Sequence, residues 1–167
     1  RLLQRLPNDA TLYCIGDFVG RGPDDWGVLA LARARGIRAI LGNHDIHFLL
    51  QYANEKSYSK LNTAQQHAVD YLRQGQFAVW HDITQSLLVH AGVYPGWDIA
   101  TTLAYAERIQ NTLNEKSIEK IHKRIYQDQD IAPSTSDSLK DICFGINVFT
   151  RMRVLNQDNT LDLVYNG

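Results

Sequence analysis

The chain has 167 residues, 44% hydrophobic and 21% charged, with 17 basic and 18 acidic side chains and a formal net charge of -1. That suits one globular domain with a sizeable core. It excludes a global basic field for long nucleic acid or an anionic membrane, so any anion site must be local.

The opening RLLQRLP reads as a helix already under way, with Leu2, Leu3 and Leu6 on its apolar face and a turn at Pro7-Asn8-Asp9. TLYCIG then reads as a fully buried strand, with Cys14 a reduced thiol rather than half a disulfide with Cys143. Pro23 to Arg35 reads as a helix whose stripe is Val28, Leu29, Leu31 and Ala32, ended by Gly36. IRAIL is a second short strand, followed by a helix from about Asn43 to Ala53, with Asn43 or Asp45 available to cap it. Strand, helix, strand implies a parallel pair whose converging strand ends hold ligands. Asp17 and Asn43 therefore belong side by side, although 26 positions separate them.

Thr63 to Gln74 predicts a helix with Ala64, Ala68, Val69 and Leu72 inward. FAVWHD and SLLVHAG predict two strands turning at Asp82 to Gln85, the second ending in His90. Residues 98 to 126 read as helix that becomes polar, a solvated cap rather than a binding tract. IAPSTSDS is a loop, GINVFTRMR a short helix, and VLNQDNTLDLVYNG a hairpin turning at Gln157 to Thr160. The sequence shows no membrane span and no signal peptide, so the cytoplasm is the default location. Its first and last residues suggest a piece of a longer protein, or the ordered part of one.

Three strand ends thus deliver GDFVGRGP, GNHD and VHAG. Asp17, Asn43 and His90 are oxygen and nitrogen donors without a thiolate, a set suited to Mn, Fe, Co or Mg. A carboxylate shared between two ions, with an amide and an imidazole on one of them, is half of a two-metal site for phosphoryl displacement. Arg21, beside a helix start at Gly22-Pro23, would clamp phosphate. His44, held by Asp45, would serve as general acid or base. Each element alone has a plainer reading: a turn aspartate, a core histidine, a surface arginine.

Together, GD-x-V-x-RGP, GNHD and VHAG resemble the calcineurin-like metallophosphoesterases. Within them, RGPDD, LGNHDIHFLL, HAGVYPGWDIATTLAYA and NVFTRMR resemble the bacterial symmetrical diadenosine tetraphosphate hydrolases. The resemblance implies an α/β layered fold with a helical cap at about 98–140 and two divalent ions, Mn, Co or Fe. It implies Asp17 bridging the ions, Asn43 and His90 on the second, and His44 with Asp45 as the catalytic acid pair. Arg21 would contact phosphate, and Arg151 and Arg153 the polyphosphate chain. The implied reaction is in-line attack of metal-bound hydroxide on diadenosine tetraphosphate, giving two ADP; nucleoside-tetraphosphate-capped RNA ends are a chemically equivalent substrate. Trp97 could border the nucleotide or anchor its loop, and His47, His67, His81 and His122 receive no chemical role.

Gly20 stands where related protein phosphatases carry aspartate, which argues against that branch. Residues 126 to 138 lack the family's Gly-Asp and Trp pattern. The family's opening Asp-x-His and closing Gly-His motifs are absent from the sequence, so this chain should hold only part of the metal site. The competing expectations are a serine/threonine-type protein phosphatase and a non-catalytic fragment.

Overall fold

The computed structural model describes residues 3–7, 9–114, 118–127, 131–135 and 138–164. Leu3–Arg5 forms a single 3-10 turn, while Leu2 and Asn8 of the expected opening lie outside the described residues. The expected parallel pair is present. Strands β1 (Tyr13–Ile15) and β2 (Arg38–Ile40) run in register Tyr13↔Arg38, Cys14↔Ala39, Ile15↔Ile40. The pairing extends by an isolated parallel bridge at Gln76, which donates to Ala39 O and accepts from Leu41 N.

Helix α1 (Asp25–Ala34) crosses between the two strands and begins where Asp24 Oδ1 accepts Gly27 N at 2.8 Å. Of the expected stripe, Leu29 and Ala32 are buried, while Val28 and Leu31 are 42% and 51% exposed. The inward face is therefore narrower than the apolar pattern. Helix α2 (Asn43–Tyr52) starts from extended Gly42, and neither Asn43 nor Asp45 is its N-cap. Asp45 instead turns back from the first turn to accept the Gly42 N–H. A short α3 (Glu55–Tyr58) leads to α4 (Thr63–Arg73), which opens with a reciprocal Asn62–Gln65 capping box. Ala68, Val69 and Leu72 of α4 are buried as expected, but Ala64 is exposed.

Strands β3 (Ala78–His81) and β4 (Ser86–Val89) form the expected hairpin, in register Ala78↔Val89 to His81↔Ser86. The polar helical segment divides into α5 (Ile99–Asn114) and α6 (Ile118–Ile125), separated by residues outside the described set. It is solvated on one face only: Ile109, Leu113, Ile121 and Ile125 are at most 3% exposed. Both helices pack on α7 (Ser138–Arg151), which is longer than the sequence suggested and buried at every position from Asp141 to Thr150.

A helix enclosed on all sides must satisfy its polar groups internally. Asp141 accepts from Tyr105, Arg108 and Ser134 N, and the Thr150 hydroxyl donates to Ile146 O at 2.7 Å. Phe149 of α7 joins Leu41, Phe77 and Leu49 in one core that unites both halves of the chain. Each such fully buried side chain contributes roughly 1.5–3 kcal/mol. The hairpin of β5 (Val154–Leu155) and β6 (Leu161–Asp162) completes the order. Among the described residues no helix is long and apolar enough to cross a membrane.

Candidate active site at the strand ends

The end of β4 arrives at the end of β1, and one hydrogen bond fixes the meeting. His90 Nδ1 lies 2.8 Å from Ile15 O. A carbonyl can only accept, so Nδ1 carries a proton, and in the neutral ring Nε2 is the nitrogen with the lone pair. That lone pair faces Asp17 Oδ1, 3.7 Å away. Two donors each about 2.1 Å from a common ion stand at most about 4.2 Å apart, so this gap admits one divalent cation. An imidazole whose other nitrogen is tied to a backbone carbonyl is the usual state of a metal-ligating histidine. Asn43 opens α2 at the same edge, and Asp17 Oδ1 also accepts His44 N at 3.3 Å.

The residues present therefore fit a divalent ion: Asp17, His90 and the amide of Asn43. Among the described residues no group of three or more histidine, cysteine, aspartate or glutamate side chains converges there. Beyond these three, solvent and substrate oxygens are available as further donors.

Asp17 occupies the left-handed region at φ 56°, a conformation that costs a non-glycine residue about 1 kcal/mol. Asp45 holds it there. This carboxylate is 0% exposed and accepts from Asp17 N, Phe18 N and Gly42 N, each at 2.9 Å. Burial pushes its carboxyl up to about 6; the three N–H donors pull the other way, and the neighbouring Asp17 charge adds to the rise. The expected pairing of Asp45 with the His44 imidazole is corrected accordingly. Both oxygens are spent on backbone, and among the described residues none of its hydrogen bonds reaches the ring. Asp45 is a strut that locks the Asp17 loop to the Asn43 loop. The loops meet so closely that a Cβ on Gly42 would collide with Asp17 Oδ1 and stand 2.9 Å from His90 Cε1.

His44 Nε2 accepts from Arg21 Nε at 3.2 Å, placing the guanidinium against the imidazole. The helix-terminal half of the expected phosphate clamp is absent. Helix α1 starts two residues after Pro23, the Asp24 side chain takes the Gly27 amide, and Asp25 accepts Gly20 N at 2.9 Å. Gly20 has φ 86°, and a Cβ there would stand 2.6 Å from His44 Nδ1. The imidazole packs where a larger residue would put its side chain. Gly20→Ala should therefore displace His44 and lower kcat about a hundredfold, the scale of a 1 Å misplacement, with KM changing less. Steady-state kinetics check it; a kcat within threefold of wild type would show that the close approach is unimportant.

Beside the strand ends lies a cavity of about 410 Å³, lined near the site by Gly20, Asn43 and His44 and further off by His47, Tyr126 and Arg151. Arg151 donates to Ile125 O and Asn147 Oδ1, both at 3.2 Å, which places its guanidinium on the cavity wall. Arg153 is exposed and does not line the cavity, so its expected share in the polyphosphate site has no geometric support. Trp97 stacks on Tyr105 at 4.1 Å and 22° and meets Phe144 and Phe149, the packed anchor of its loop. Nothing in the sequence assigns a chemical role to Tyr126 or His47. The spacing of His47, three positions past His44 on the same helix face, was the one signal that could have found it.

A family model described as calcineurin-like phosphoesterase matches residues 1–167. A symmetrical bis(5'-nucleosyl)-tetraphosphatase of Buchnera aphidicola is 31% identical over 97% of this chain and 66% of its own length. One from Pectobacterium atrosepticum is 34% identical over 95% of the chain and 60% of its own length, and one from Pasteurella multocida 29% identical over 97% and 64%. The chain thus spans somewhat under two thirds of the length of these relatives.

Proposed function

Because the chain belongs to the calcineurin-like phosphoesterases, a family that uses divalent metals, we propose that its strand-end site hydrolyses a dinucleoside tetraphosphate symmetrically. With diadenosine tetraphosphate the products are two ADP. The observation that carries the reading is the preset His90: its Nδ1–H is fixed on Ile15 O and its Nε2 faces Asp17. The relatives named for this reaction support the substrate class.

Asp17, Asn43 and His90 would hold metal, two ions in the full site, with Mn, Co or Fe suited to the donors. Such ions polarise phosphoryl oxygens and acidify water. The remaining work falls to this chain's own groups. Arg151, on the cavity wall, and Arg21, which reaches the cavity only through its contact with His44, would hold the charge of a polyphosphate. An entering phosphate oxygen competes with His44 for the Arg21 guanidinium. Once Arg21 turns to phosphate, His44 Nε2 is left to carry the proton that the departing phosphate oxygen needs. Asp45 keeps the two loops in register throughout. We place the reaction in the cytoplasm, where Cys14 and Cys143 stay free thiols.

The test ranks substrates with the full-length protein: diadenosine tetraphosphate, tetraphosphate-capped RNA and a phosphoserine peptide. The reading expects kcat/KM for the dinucleotide to exceed that for the peptide at least a hundredfold. A preference for the peptide would move the protein to the phosphatase branch; a preference for the capped RNA would keep the chemistry and change the physiological substrate.

A further inference from the structure

The cavity runs away from the metal side along α2, and its far wall is aromatic. His47 lies one turn beyond His44 on the same face, about 5.4 Å further along the helix axis. Tyr126, directly after α6, meets it there: the phenol oxygen is 3.2 Å from His47 Nδ1, and the rings are 5.8 Å apart at 66°. His122 approaches the same phenol ring edge-on at 6.4 Å and 83°. Among the described residues no ring lies parallel to Tyr126, which is 44% exposed. Both histidines thus meet the ring at steep angles, and neither stacks on it.

Ile125, 2% exposed, supplies an apolar surface behind this wall, and Arg151, bonded to Ile125 O, supplies charge on the same cavity. The cavity volume falls in the range of small-ligand sites. The order of groups from one end to the other is phosphate-handling imidazole and guanidinium, then a braced aromatic face. A nucleotide has the same order: phosphate, ribose as spacer, flat base.

We propose that Tyr126, braced by His47, stacks the base of one nucleoside of the substrate and so determines specificity for nucleotide over bare polyphosphate. This rests on the reading of the site as a dinucleoside polyphosphate hydrolase, and it deepens that reading by naming where the base sits. Tyr126 is a binding residue and His47 a positioning residue for it. The selectivity is for a flat base as such, because an aromatic face accepts any of them.

The test uses the full-length protein with calorimetric binding of ADP and of inorganic tetraphosphate, alongside KM and kcat for diadenosine tetraphosphate. Tyr126→Ala should weaken ADP binding and raise KM about tenfold, within the range of one base–aromatic stack. Tetraphosphate binding and kcat should stay within about twofold. Tyr126→Phe should bind ADP within threefold of wild type, because the π face remains. If the alanine variant loses its cooperative melt, Tyr126→Leu, with bulk but no π face, carries the same expectations. Unchanged ADP binding in a folded Tyr126→Ala or Tyr126→Leu variant overturns the proposal, as does an equal loss for ADP and tetraphosphate. The binding readout does not depend on turnover. A wild type that binds ADP through Tyr126 yet fails to cleave the dinucleotide would refute the hydrolase reading and leave the base-stacking wall standing.

Discussion

Asp17→Asn should lower kcat/KM of the full-length protein about a thousandfold, the upper end of what one electrostatic group in a site commands, while the fold survives. The side chain is 34% exposed, so little packing is lost. Asparagine keeps an oxygen to accept His44 N, and it tolerates the left-handed backbone at φ 56°. What it removes is the negative charge facing His90 Nε2. Thermal melts and Mn titrations separate the effects: an unchanged melting temperature with weakened Mn affinity is expected. A variant that keeps near-native activity would remove Asp17 from the metal site and with it the account of the strand ends.

Asp45→Ala is expected to fail differently, losing stability and activity together. The change strands three N–H groups, of Asp17, Phe18 and Gly42, that a fully buried carboxylate satisfies. Leaving a buried donor without its partner costs about 1–3 kcal/mol for each group, a loss to be read in urea unfolding. Asp45→Asn retains one acceptor oxygen and turns an amide N–H₂ toward remaining donors, so it should recover only part of the loss. The sign of the pH effect follows from burial raising the carboxyl to about 6. The folded chain holds this proton more tightly than the unfolded one, so the contribution of Asp45 to stability declines as pH rises from about 4 to about 6. The Asn variant should lack that decline. A fully stable Asp45→Ala would refute the strut.

Much of this arrangement could be read in advance, and the reasons are local. The alternation of TLYCIG, a helix and IRAIL brings Asp17 and Asn43 to one sheet edge, because parallel strands joined by a crossover end on the same side. His90 ends a hairpin strand whose partner is adjacent in sequence, so its placement needed only that strand to reach the same edge. What escaped was the direction of side chains. In GNHD nothing local distinguishes a carboxylate that turns toward the neighbouring imidazole from one that turns back to Gly42 and across to residues 17 and 18. The backbone donors that decide it lie 27 and 28 positions away. Arg21 was read beside a helix start at Pro23, whereas Asp24 delays that start and caps it.

The aromatic wall was the least legible part. His47 and Tyr126 are 79 positions apart on elements that meet only once α6 docks beside α2. In sequence, Tyr126 merely closes a polar run, and the burial of Ile121 and Ile125 that aims it inward depends on α7. The extent of α7 was hidden for a related reason. Its buried Asp141, Asn147 and Thr150 break the apolar pattern, and partners on α5 and in the loop at Ser134 satisfy the first of them.

The most direct measurement is the product distribution from diadenosine tetraphosphate incubated with the full-length protein and Mn, with and without a chelator. The account predicts ADP as the sole nucleotide product and no cleavage once the metal is removed. AMP with ATP, or cleavage that persists in the chelator, would contradict it.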